Sequence, residues 1–252
     1  MKNTDKPINK LKDILFIDIE TVSGEAMLEN VTPVLQKAWE KKSTFLGSSE
    51  QQESMSAADW YAQRASLYAE YGKIISIGVA YFYANENDEL CLRSKAFTSN
   101  DEATVLGQFV MLLGQKRFDP RTMALCAHNG REFDFPYLCR RMMVNKIPIP
   151  NILYSQQRKP WESPLLDTME MWRFGERKSY VSLQVLAALL GIENTLPSDI
   201  EHTSMSKVFY EEANAVERIA DFSRRDVALT AQVYLHLSGH DDLIPQNIFY
   251  VD

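Results

Sequence analysis

The sequence predicts an α/β domain, and three observations carry that prediction. Apolar runs rich in β-branched and aromatic residues, Ile14 to Ile17, Lys73 to Tyr83 and Thr122 to Ala127, read as strands. Apolar positions at helical spacing, such as Val105, Leu106, Phe109, Val110 and Leu113, read as helices with one buried face. The order along the chain is strand, insertion, hairpin, helix, strand, helix, short strand and then helices, within one domain over 13–237.

Residues 1–12 are polar and predict a flexible tail. Ile14 to Ile17 is the strand buried on both faces. Residues 22–73 have helical composition, from Val34 to Trp39 and from Ala57 to Tyr71, broken by the polar stretch Gly47 to Gln52. That pattern predicts an inserted helical hairpin with a mobile tip. Lys73 to Tyr83 and Glu89 to Phe97 flank the turn-rich Asn85-Glu-Asn-Asp88 and predict a β-hairpin. Asn100 and Asp101 suit the start of the next helix. After the strand at 122–127, His128-Asn-Gly130 turns the chain into a helix near Phe135 to Val144. Pro148 and Pro150 open a loop that reaches a short strand at Pro164-Leu-Leu166. Helices follow at about 168–174, 181–190, 205–212 and 215–237, with 238–252 as a C-terminal tail.

The 252 residues, 45% of them hydrophobic, suffice for a sizeable core. No stretch approaches the roughly 20 apolar residues of a membrane span, and the first residues lack a secretory signal, so the expectation is a soluble, cytoplasmic protein with no membrane partner. Cys91, Cys126 and Cys139 have no metal-ligand spacing and read as small buried hydrophobes. A net charge of -7 argues against a protein that simply coats nucleic acid. Its distribution is uneven: Arg131 to Lys178, which includes Arg158, Arg177 and Lys178, holds nine basic against six acidic residues. A phosphate-tracking groove is expected there if anywhere, the alternative being a solvated mixed-charge surface.

Four carboxylates stand out. Asp18 and Glu20 end the first strand two residues apart, so both project from one face of the sheet. Two anions held there repel unless a cation or solvent satisfies them; an exposed strand end is the alternative. Asp134 precedes Phe135-Pro136, a setting in which an Asp taken alone caps a helix. Asp226 falls in the apolar stripe Ile219, Phe222, Leu229, Val233 of the last helix. A buried acid needs a partner, and Arg224 and Arg225 point to other sides of that helix, so a metal or a basic group elsewhere is required.

Together these features resemble the DnaQ-like DEDD superfamily of 3′-to-5′ exonucleases: Asp18-x-Glu20-Thr21 at a strand end, Asn129-x-x-x-Phe133-Asp134 between strand and helix, and Asp226-Val-Ala-Leu-Thr230 on the last helix. The chain is similar to a bacterial family of predicted 3′-to-5′ exonucleases related to the proofreading domain of B-family DNA polymerases. The similarity runs from about Asp13 to Leu237, through Tyr71-Gly-Lys-Ile-Ile75 and Asp167-Thr-Met-Glu-Met-Trp172. The resemblance implies a ribonuclease-H-like fold, a five-stranded mixed sheet with its second strand antiparallel and helices on both faces. It implies two Mg²⁺ or Mn²⁺ ions roughly 4 Å apart, with Asp18 bridging them, Glu20 and Asp226 completing the first site and Asp134 holding the second through water. The implied activity is hydrolysis of single-stranded DNA, or of RNA, from the 3′ end to nucleoside monophosphates. Thr21, Asn129 and Phe133 would contact the terminal nucleotide, Phe133 by stacking or as core packing, and Asp167 would act as a helix cap or support the site. The family carries a Tyr four positions, or a His five positions, before the last Asp to orient the attacking water. Here those positions hold Phe222 and Asp221, and a phenyl ring has no hydroxyl. Phe222 therefore leaves a second function open, a nucleic-acid-binding module with weak or no catalysis.

Overall fold

The computed structural model describes residues 10–154, 159, 162–176, 180–192, 200, 202–243, 245 and 247–251. Arg158, Arg177 and Lys178 lie outside the described residues, as do positions 1–9. Six strands form one sheet: β1 (Ile14–Ser23), β2 (Gly72–Ala84), β3 (Leu90–Thr98), β4 (Ala124–Ala127), β5 (Leu165–Asp167) and β6 (Asn247–Val251), in the order β5-β4-β1-β2-β3-β6. The helices are α1 (Pro33–Ser43), α2 (Ser49–Ser54), α3 (Ala57–Arg64), α4 (Glu102–Leu113), α5 (Asp134–Val144), α6 (Thr168–Arg173), α7 (Leu183–Leu189), α8 (Met205–Glu211) and α9 (Ala215–Leu237).

The sheet is mixed as expected: β2 runs antiparallel to β1 and β3, while β1/β4, β4/β5 and β3/β6 are parallel. Five strands were expected and six are found among the described residues. The sixth, Asn247-Ile-Phe-Tyr-Val251, falls in the stretch read as a tail and pairs along Cys91 to Lys95 of β3. It covers a row of backbone donors and acceptors that would otherwise form an exposed edge.

Alternation along β1 divides the core in two. Leu15, Ile17 and Ile19 pack on one face with Val105, Leu106 and Phe109 of α4 and with Phe135, Leu138 and Met142 of α5. Ile14 and Phe16 pack on the other with Val227, Ala228, Ala231 and Leu235 of α9. The hairpin turn is held by Asn85, whose side-chain oxygen accepts from the Asn87 and Glu89 amides at 3.0 and 2.9 Å.

The insertion is helical and carries its own aromatic core. Trp39 is fully buried, with the Tyr61, Tyr68 and Tyr71 rings at 5.5, 5.9 and 4.8 Å and its indole N–H donating to the Ala57 carbonyl at 2.9 Å. The polar stretch read as the mobile tip carries α2. Ser48 and Gln51 build a reciprocal capping box there, a local bonding pattern that outweighs the lack of apolar periodicity.

Gly78 on β2 sets how closely α9 approaches the sheet. A Cβ at this position would meet the Ser223 carbonyl oxygen at 2.6 Å and the Val227 side chain at 3.1 Å. Gly78→Val is expected to push the helix off the sheet at a cost of about 2–3 kcal/mol. The readout is a lower urea midpoint at unchanged slope.

Candidate metal centre and its cleft

Phe16, Asp18 and Glu20 share the face of β1 that meets α9, opposite Ala80, Gly78 and Ser76 of β2. The pairing with β2 shifts register between Glu20 and Thr21, at the level of the acids, and then continues through Ser23. Asp226 comes from the middle of α9, among the buried Ile219, Phe222, Leu229 and Val233 and beside the Val227 face that packs on the sheet. Asp18, Glu20 and Asp226 each place one carboxylate oxygen within 4.8 Å of the others.

Two of the three acids keep an oxygen that the protein alone does not satisfy. Glu20 is 1% and Asp226 7% exposed, and the buried oxygens Asp18 Oδ2 and Glu20 Oε1 have no hydrogen-bond partner. Burial first, then the charges of Glu20, Asp134 and Asp226, push the Asp18 carboxyl well above the usual range. Burial also raises Glu20, opposed by the charge of His202 and its hydrogen bond. Orphaned oxygens on converging carboxylates are hard donors suited to a divalent cation such as Mg²⁺ or Mn²⁺.

Asp134 lies beside the triad. It does not cap α5: the helix has no side-chain cap, and Asp134 Oδ1 accepts instead from the Ile19 amide at 3.1 Å. That bond crosses from helix to β1 and fixes the carboxylate next to Asp18 and Glu20. Burial, opposed by the Ile19 amide and raised further by Asp167, lifts its carboxyl to about 7.

The turn that carries Asp134 is organised by Asp167. Its carboxylate accepts from the Asn129 and Arg131 amides, both at 3.0 Å, and caps α6 through the Met169 and Glu170 amides at 2.9 and 3.3 Å. Four amides on one carboxylate explain its burial and make it a structural anchor. Asn129 sits at φ +60°, a left-handed conformation that Asn tolerates better than most residues. At Gly130 a Cβ would meet the Ala127 Cβ at 2.5 Å, so the turn needs glycine.

The partner that a buried Asp226 requires is His202, which the sequence reading missed. Its Nδ1 lies 3.3 Å from Glu20 Oε2 and its Nε2 3.4 Å from Asp226 Oδ2. Gln184 Nε2 donates to the same Asp226 oxygen at 3.2 Å. Arg225 pairs with Asp221 at 2.6 Å and takes no part. Burial pulls the imidazole down, but the charge of Glu20, the hydrogen bonds to Asp226 and Glu20 and the charge of Asp18 hold it up at about 12. His202 follows a long polar stretch with no apolar rhythm, so neither spacing nor periodicity marks it; only the demand for a cation near Asp226 points to such a group.

A cleft of about 310 Å³ opens over these residues. Asp18, Glu20, Asp134, Asp226 and His202 line its charged part. Thr21, Asn129 and Phe133, the residues expected to meet a nucleotide, line it as well. Ser66 and Leu67 of the insertion and Tyr180, Leu183 and Gln184 near α7 close the sides. Phe222 does not line the cleft; it packs with Val22, Ile75 and Met205, and its ring meets the His202 imidazole edge-on at 5.1 Å. Ser223 is fully buried against Gly78 and likewise stays outside the cleft. Within the basic stretch from Arg131, Arg131, Arg141 and Arg173 are committed internally, pairing with Glu170, Glu102 and Glu132.

Comparison with known proteins agrees with the fold and with the resemblance read from the motifs. A family B DNA polymerase from the hyperthermophilic archaeon Pyrobaculum calidifontis superposes with a TM-score of 0.52 at 16% identity, over 88% of this chain and 24% of the polymerase. The chain thus spans about a quarter of the length of that relative. No curated protein sequence matches it. A model of the RNase H superfamily matches residues 63–238, more than two thirds of the chain, beginning after Asp18 and Glu20 and taking in Asp134, Asp226 and strands β2 to β5. With the mixed sheet, its antiparallel second strand and helices on both faces, that match settles the family: the chain belongs to the RNase H superfamily.

Proposed function

We propose that the chain is a divalent-metal-dependent 3′-to-5′ exonuclease acting on single-stranded DNA. The observation that carries this reading is the convergence of Asp18, Glu20 and Asp226 within 4.8 Å on a cleft, with two buried oxygens left unbonded. The order of the motifs and a fold shared with a DNA polymerase support the polarity and the polymer class.

Asp18, Glu20 and Asp226 would hold one Mg²⁺ or Mn²⁺, and Asp18 with Asp134 a second. Bound there, such ions generate a nucleophile near neutral pH and stabilise the entering and leaving oxygens of a phosphoryl centre. The chain's own residues do the rest. Asp134 is held by the Ile19 amide, and Asp167 fixes the turn beneath it, so the acids are placed before substrate arrives. A cleft of about 310 Å³ is of a size to take one nucleotide, with Phe133 and Leu67 as apolar walls for a base and Thr21 and Asn129 as polar contacts. Phe222 would shape the site from behind His202. The reading goes with a cytoplasmic location, where Cys91, Cys126 and Cys139 remain free thiols.

The test is an oligonucleotide assay with separate 5′ and 3′ labels, on DNA and on RNA, with Mg²⁺, Mn²⁺ or a chelator. The reading expects a ladder from the 5′ label, immediate mononucleotide from the 3′ label, neither with chelator, and faster loss of DNA than of RNA. Faster loss of RNA would make the chain an RNA exonuclease. Binding without metal-dependent shortening would favour the module that Phe222 leaves open.

A further inference from the structure

Hydrolysis needs a group that fixes the direction of the attacking water, and the metal-holding carboxylates have their oxygens committed to cations. Phe222, on the helix face that carries Asp226, offers only carbon. Among the described residues lining the cleft, His202 and Gln184 bring polar side-chain nitrogens against the triad. Gln184 lies against Asp226 alone. His202 spans two of the three acids, at 3.3 Å from Glu20 and 3.4 Å from Asp226. Its ring is braced edge-on by Phe222 at 5.1 Å, while its side chain remains 56% exposed and faces the space a substrate would enter.

We infer that His202 is the residue that positions the attacking water in this chain: one imidazole nitrogen keeps its carboxylate while the other passes its contact from a carboxylate to the water. The inference rests on the exonuclease reading above. The two nitrogens lie on opposite edges of one rigid ring, so a bond to Glu20 or Asp226 on one side orients the other. A group that already reaches two ligands of one cation also reaches water in that cation's immediate surroundings. Phe222 then has a role as well: it supports the ring that supplies the hydrogen bond.

The experiment compares wild type, His202→Ala and Asp18→Asn in shortening of a 5′-labelled oligonucleotide, with and without added imidazole, and measures Mn²⁺ affinity by calorimetry. His202→Ala is expected to lower kcat about 10²-fold or more with KM little changed. Added imidazole is expected to restore at least about tenfold of that loss, because the exposed position leaves an open hole, and Mn²⁺ is expected to bind no more weakly than to wild type. A rate within about threefold of wild type, a loss that imidazole does not relieve, or Mn²⁺ affinity weakened tenfold or more would each overturn the assignment. If His202→Ala stays active while Asp18→Asn does not, only the role of His202 fails. If wild type shortens nothing, the exonuclease reading and the role of His202 fail together.

Discussion

Asp18→Asn is expected to lower metal-dependent shortening at least about 10³-fold while making the metal-free chain more stable. The loss follows from removing the charge that both ions would share, an interaction worth several kcal/mol in a phosphoryl-transfer transition state. The gain follows from the same geometry. Asp18 lies against Glu20, Asp134 and Asp226, and burial together with these like charges holds its carboxyl far above the usual range. A carboxamide removes one of the repelling charges, and its NH₂ can donate to Glu20 Oε1, which has no hydrogen-bond partner. A stabilisation of about 1–3 kcal/mol is expected, read from the urea midpoint in chelator. Opposite signs for activity and stability are what a functional site predicts, since stability is sacrificed where charge is held ready.

The metal-free chain is expected to lose stability as pH rises from about 5 to 8, by about 2–4 kcal/mol. Asp134 titrates near 7 in the folded chain against its usual 3.8, so between these values the folded state holds a proton that the unfolded state has released. Under that condition stability falls with rising pH. Asp18 and Glu20 are shifted in the same direction. His202 adds to the slope: its contribution is complete below its usual 6.5 and is lost as pH climbs toward about 12. Its share is reduced by solvent screening, because the side chain is 56% exposed. Saturating Mg²⁺ favours the ionised carboxylates and is expected to flatten or reverse the profile. Thermal melts across this range, with Mg²⁺ and with chelator, measure it; a flat profile in chelator would contradict the buried-charge description.

Much of the fold was legible because its signals are periodic. The Ile14 to Ile17 run, the hairpin around Asn85 and the stripe on the last helix appear where alternation and helical spacing place them. The Asp18-x-Glu20 pair shares a face because strand periodicity is two, and Asp226 is buried because its stripe is. What stayed hidden lacks a period. His202 reaches the acids through tertiary contact, from a polar segment with no rhythm. The contact of Asp134 was not legible: its local sequence suits a cap, whereas its oxygen bonds the amide of Ile19, 115 residues away. The strand Asn247–Val251 is short and terminal, and only the open edge of β3 gives it a reason to form. The helix at Ser49–Ser54 depends on a two-residue capping box inside a polar run.

The central claim is that Asp18, Glu20 and Asp226 form a divalent-cation site, and a Mn²⁺ titration followed by electron paramagnetic resonance tests it without reference to activity. The account predicts saturable binding by wild type, displaced by Mg²⁺, and its loss or at least tenfold weakening in Asp18→Asn and Asp226→Asn, as expected when one of a few anionic ligands is neutralised. Equal binding by wild type and both variants would contradict it.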